Sequence, residues 1–268
     1  MSLADLTFAR WSALDAATAT RHADEAARRA GGRLLGLDTR PHPGGDRHRA
    51  VIERAGERYA LVPGGEVTVG FDVDAWQPLP EQLASYREES LAGGFGFDTD
   101  LRAHLAQVMT PPRTVTLPTV LMAVEPRKLP EVPALIPALL AAQGLRMPHP
   151  DEWEHACGAG ARTLFRWGDG YPAGTPPYGP GAGPHQLPNA FGLHLAYDVY
   201  DSAEMTSDPG SVYGGDGGEA VCGGYGSLLE WLPLATANHN PATAEFLGGP
   251  EGEDMFEDFL VRPVIELG

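Results

Sequence analysis

Lysine is almost missing from this chain: Lys128 is the single example, and arginine makes up the rest of the 19 basic residues set against 36 acidic ones. Cysteine is scarce too. Two cysteines in 268 residues build no disulfide framework, which points to a reducing compartment. No apolar run approaches the ~20 residues that a transmembrane helix needs. The N-terminus also lacks the basic-then-apolar order of a secretion signal. The expectation is a soluble, cytoplasmic protein. The most uneven absence is of positive charge: between Arg166 and Arg262 there is no lysine or arginine, while fourteen acids run from Asp169 to Asp258. A formal net charge of -17, concentrated in that interval, repels nucleic acid and draws cationic partners.

What is present is organised in segments. Thr7 to Gly32 is alanine-rich, spaces Phe8, Trp11 and Leu14 helically and ends in a glycine pair, so one or two helices are expected. An antiparallel ribbon follows, with turns at "RAGE" and "PGGE". Asp74 to Pro112 should hold two short helices split by "GGFGF", either as an ordinary surface insertion or as a lid or partner-binding arm. "RKLPEVPALIPALLAAQGL" leaves room for one helix. In "PHPDEWEHACGAG", Pro150 in the first turn, Asp151 and Glu152 near the positive end of the dipole, and the closing glycines mark a further helix. Trp153 and Trp167 should face the core, and the glycine- and proline-rich stretch from Gly168 to Gly192 should be irregular.

Three pieces carry a resemblance: "RMPHPDEWEHACGAGARTLFRWGDG", then "LPNAFGLHLAYDVYDSAEMTSD", and at the end "LVRPVIEL". In that order they resemble the formylglycine-generating-enzyme, or sulfatase-modifying-factor, domain. "YALVPGGEVTVGFD" resembles that family's opening hairpin and "RTVTLPTVLMAVEP" the strand after it. The resemblance implies an α+β, C-type-lectin-like fold, low in regular secondary structure. Residues 1–45 would form an N-terminal helical extension, and residues 46–268 the domain, with the insertion at about 74–112.

Family enzymes oxidise a substrate cysteine with copper held by two nearby cysteines. Here Cys222 falls on the family's arginine instead of a ligand position, and the other cysteine, Cys157, lies within the Trp153 helix, so the resemblance implies a lost oxidase. None of the nine histidines has the spacing of the family's iron-dependent branch. His149 sits at the family's N-cap and His155 is expected on the surface. Aligning "AEMTSD" with the family's calcium-binding segment puts Asp201 and Glu204 on its two side-chain ligands, so a structural calcium ion is implied, against a plain solvated acidic loop. No other cofactor is expected.

The C-terminal segment sets Phe256 among Glu251, Glu253, Asp254, Glu257 and Asp258. An aromatic anchor ringed by carboxylates suits a surface that blocks a basic site; a solvated loop is the plainer alternative. By analogy with family members that lack the copper cysteines, the expected function is a non-catalytic, immunity-type protein. It would neutralise a toxin with a basic surface, without membrane or nucleic-acid binding. The alternatives are a metal-dependent oxidase or biosynthetic accessory enzyme using Cys222, His239 or His185, and a ligand-binding or structural subunit.

Overall fold

A computed structural model describes residues 3–40, 47–128, 133–179, 183–200, 203–210, 212–239, 245 and 260–268. The chain begins with two helices, α1 (Phe8–Ala13) and α2 (Ala16–Arg29), each opened by a side-chain cap: Thr7 accepts from the Arg10 amide and Asp15 from the Thr18 amide. Strands β1 (Arg33–Arg40), β2 (Arg47–Arg54) and β3 (Glu57–Val62) form an antiparallel meander. Its "RAGE" turn places Ala55 and Gly56 at φ 54° and 85°, the doubly left-handed turn that matches strand twist. Strands β4 (Gly65–Val69) and β5 (Arg113–Leu117) pair with one another, and β6 (Val120–Ala123) returns beside β3.

Between β4 and β5 lie α3 (Pro80–Ser85), a π-helical turn (Tyr86–Leu91) and α4 (Leu101–Val108). After β6 come β7 (Arg127–Lys128), α5 (Ile136–Ala141), α6 (Pro150–Gly158), β8 (Glu204–Met205), β9 (Val212–Tyr213), α7 (Glu219–Gly223), α8 (Ser227–Trp231), β10 (Leu260–Val261) and β11 (Val264–Glu266). The main sheet runs β1-β2-β3-β6-β11, all antiparallel; a smaller one runs β7-β10-β8-β9. This is an α+β chain.

Alternation along β3 and β6 builds two cores at once. Tyr59, Leu61, Leu121 and Ala123 face α1, α2 and α5, whereas Ala60, Val62, Val120 and Met122 face Trp153, Ala156 and Cys157 of α6. Both strands are therefore sandwiched, which explains their nearly unbroken apolar runs.

Several expectations need correction. A boundary at residue 45 would fall inside the β1–β2 pair, and Leu3, Leu6, Trp11 and the α2 alanines lie in the same core as Leu61 and Leu121, so the N-terminal helices are integral. "PGGE" does not turn a hairpin: β3 and β4 belong to different sheets. The segment from 74 to 112 is neither lid nor surface addition. Tyr86, Leu101, Leu105 and Met109 share a third core with Leu228, Trp231 and Leu234. The two helices and the "GGFGF" break within it are as expected.

Candidate functional site

The "RMPHPDEWEHA" segment is held by reciprocal polar contacts at the start of α6. The His149 ring accepts the Asp151 amide (3.2 Å), Glu152 accepts the His149 amide (2.8 Å), and Arg146 grips both Glu152 oxygens (2.6 and 2.7 Å). That orients Trp153 inward. Its indole N–H donates to Glu204 (2.9 Å), which lies on β8. Arg262, in the break between β10 and β11, completes the arrangement: Nε and Nη2 donate to the two Glu204 oxygens (2.9 and 2.5 Å). Nη1 donates to Ala123 and Val124 carbonyls (2.8 Å each), and the second Nη2 hydrogen goes to His194 O (2.9 Å). All five guanidinium donors are satisfied, and both side chains are 0% exposed.

This changes the reading of Glu204 as a calcium ligand. Both of its oxygens are already engaged by a guanidinium and an indole, and a calcium ion there would have to displace Arg262. The environment does not fit the ion. Asp201, its expected companion, lies outside the described residues. Among the described residues, no three His, Cys, Asp or Glu side chains converge to hold a metal.

The far end of α6 is closed by the "NAFG" piece. Asn189 Nδ2 donates to the Ala156 and Cys157 carbonyls (2.6 and 3.0 Å), and its Oδ1 accepts the Phe191 and Leu193 amides (3.0 Å each). Ala159, not a glycine, takes the left-handed capping position at φ 47°. His155 is not on the surface. It is buried between the Phe8 and Phe191 rings, donates to Pro63 O (2.8 Å), and is held neutral by burial, which lowers its pKa.

The cysteines are placed very differently. Cys157 lies wholly inside the α6 core, where burial pushes its thiol up to about 12, so it offers no thiolate at neutral pH. Cys222 is exposed on α7, its sulfur 3.9 Å from the Tyr200 hydroxyl. Neither His185 nor His239 shares a hydrogen bond or ring contact with Cys222 among the described residues. His185 contacts Tyr197 O (3.1 Å) and the Trp231 ring, and His239 packs by its amide against Val108 O (3.1 Å). Burial lowers the pKa of both.

Sequence reasoning missed a buried carboxylate. Glu154 accepts from Arg113 and Thr110 on one oxygen (2.9 Å each), while its other oxygen is buried without a partner. Burial raises its pKa despite Arg113. A carboxylate on a helix with acids at 151 and 152 carries no signal that it faces inward.

Glu251, Glu253, Asp254, Phe256, Glu257 and Asp258 all lie outside the described residues. The structure nevertheless shows which acids upstream are committed to the fold. Glu204 is neutralised by Arg262, Asp216 accepts the Gly218 and Ala220 amides (2.8 and 2.9 Å), Asp169 accepts the Leu164 amide (2.9 Å), and Asp208 the Gly210 amide (2.8 Å). Glu219 and Glu245 are exposed and Glu230 is half-buried.

Comparison with models of known families finds no match, and no curated protein matches the chain. No described helix is long and apolar enough to cross a membrane.

Proposed function

We propose that this chain is a non-catalytic binding protein on a formylglycine-generating-enzyme-like scaffold, of the immunity type, which neutralises a basic partner through its acidic C-terminal segment. The scaffold reading is supported by the interior itself. The pieces that carry the resemblance are those that knot it together: Glu152 and Trp153 of α6, Asn189 of "NAFG", Glu204 of "AEMTSD" and Arg262 of "LVRPVIEL".

The observation that carries the binding reading is the division of labour among the acids. Asp169, Glu204, Asp208 and Asp216 serve internal turns and one buried ion pair, so they offer little to a partner. Glu251, Glu253, Asp254, Glu257 and Asp258, with Phe256 among them, are the concentrated negative charge that follows. Such charge accelerates and orients encounter with a cationic surface, and an aromatic anchor supplies the buried contact. A toxin acting on nucleic acid or nucleotides presents a basic cleft of that kind. The buried Cys157 weighs against a two-thiolate copper site.

The test is affinity capture from the native host, with the wild-type chain and a variant carrying Lys at 251, 253, 254, 257 and 258 as parallel baits. The expected result is one stoichiometric partner with a basic surface, retained by the wild type at low salt and lost from the charge-reversed bait. Equal retention by both baits contradicts the proposed surface.

A further inference from the structure

Four arginines of this acidic molecule, Arg40, Arg47, Arg49 and Arg166, line a cavity of about 250 Å³ near the C-terminal end of α6, with Leu187 and Asn189 among the other walls. Arg40 is paired with Asp38 (2.5 Å), and Arg47 lies over the Phe8 ring, 5.1 Å from its centroid. Arg49 and Arg166 are different. Among the described residues neither has a carboxylate within ion-pair distance. Arg49 donates to the Asn189 carbonyl (2.6 Å) and leaves its Nε buried without a partner. Arg166 donates to the His185 carbonyl and lies 4.9 Å over the Trp167 ring. In a chain with 36 acids for 19 bases, two half-buried guanidiniums that no carboxylate pairs with among the described residues stand out, because partly desolvating a charge without a partner is costly.

A plainer explanation would be that the arginines satisfy the carbonyls at the end of α6. Those carbonyls are already taken. His155 O accepts the Ala159 amide, Ala156 O and Cys157 O accept Asn189 Nδ2, and Gly158 O accepts the Ala161 amide. The side chains are also held in place. Gly192 runs so close that a Cβ there would come within 2.7 Å of Arg49 Cγ, and its φ of +93° excludes most other residues.

We propose that this cavity binds a phosphomonoester dianion carried on a small apolar body. A dianion neutralises two guanidiniums together where a monocarboxylate would leave one bare, and the planar arginine fork is shaped for phosphate oxygens. The volume, a little under the ~300 Å³ at which ligand pockets usually begin, limits the body to a few heavy atoms. Leu187, 64% exposed at the pocket, supplies apolar contact. Burial lowers the pKa of Arg49, with Arg40 adding to it and Asp38 opposing it, and burial lowers that of Arg166 against a contribution from Glu204; an anion in the cavity would oppose burial at both. This proposal does not rest on the role proposed for the acidic segment, and the two are tested separately.

The test is calorimetric titration of the full chain with phenyl phosphate and with inorganic phosphate at fixed ionic strength, paired with thermal unfolding in each. Saturable binding is expected, tighter for phenyl phosphate, with a rise in Tm that chloride at equal ionic strength does not give. Arg49→Gln and Arg166→Gln should each weaken it about tenfold or more. Leu187→Glu, at an exposed position that leaves the core untouched, should do the same by placing a carboxylate at the cavity. Arg33→Gln, at an exposed pair with Glu53, should leave it unchanged. Absence of saturable phenyl phosphate binding overturns the proposal, as does affinity equal to wild type in the two arginine variants and Leu187→Glu, or an equal loss in Arg33→Gln.

Discussion

Arg262 and Arg49 are both arginines set into the protein, yet their surroundings differ in kind. Arg262 has every donor satisfied, two of them by one carboxylate, and nothing further can bind there. Arg49 has a single carbonyl partner and lines, with Arg166, a cavity where no carboxylate among the described residues pairs with either. Setting a cation into the protein thus serves two ends. Where the counter-charge is built in, the ion pair ties β8 and the β10–β11 break to α6; where it is left out, the same chemistry leaves a place for an anion. The comparison also explains why the surroundings of a carboxylate that matched a calcium ligand in sequence do not fit the ion: Glu204 is the counter-charge of Arg262.

The largest effect should come from breaking the completed pair. Glu204→Ala leaves Arg262 buried and unpaired and should cost about 3–5 kcal/mol in denaturant unfolding. Asn189→Ala removes four hydrogen bonds that close α6 and hold the loop behind Arg49, and should cost about 2–3 kcal/mol. The same substitution should loosen the arginine cavity, so loss of stability and loss of phenyl phosphate affinity should appear together.

The smallest effect is on pH dependence. Burial lowers the folded-state pKa of His104, His155, His185 and His239 from 6.5, so each contributes stability that is present above pH 6.5 and lost as pH falls through its depressed value. Glu154 and Asp216, raised by burial, act in the opposite sense: their contribution is present at low pH and is lost as pH rises through their raised values. The histidine contribution to stability should therefore decline on acidification below pH 6.5. His155→Gln, which keeps a donor for Pro63 O but cannot titrate, should show a shallower decline in unfolding curves measured across that range.

Much of the local structure was legible in the chain. Proline, acids and a capping residue in order announced α6, and "RAGE" announced its hairpin, because caps and turns depend on residues close in sequence. The segment from 74 to 112 gave its two helices but not their role. Burying Tyr86 and Leu105 against Trp231 is a long-range event that local spacing does not encode. His155 looked exposed on a polar helix because the Phe8 and Phe191 rings that cover it come from either side of the chain. The same distance hid the candidate cavity: Arg40 and Arg49 come from the β1–β2 pair, and Arg166 from beyond α6. Nor could any spacing show that Glu204 would meet Arg262.

The most direct measurement is the stability of Arg49→Gln beside Glu204→Ala, each unfolded in denaturant with and without phenyl phosphate. With no ligand, Arg49→Gln should remain within about 1 kcal/mol of wild type, since it gives up one carbonyl contact of a half-buried side chain that pairs with no carboxylate among the described residues. It should also lose the stabilisation that phenyl phosphate gives, while Glu204→Ala, although far less stable, keeps it. A loss in Arg49→Gln as large as in Glu204→Ala, with the phenyl phosphate response intact, would show that both arginines are structural and would contradict the distinction.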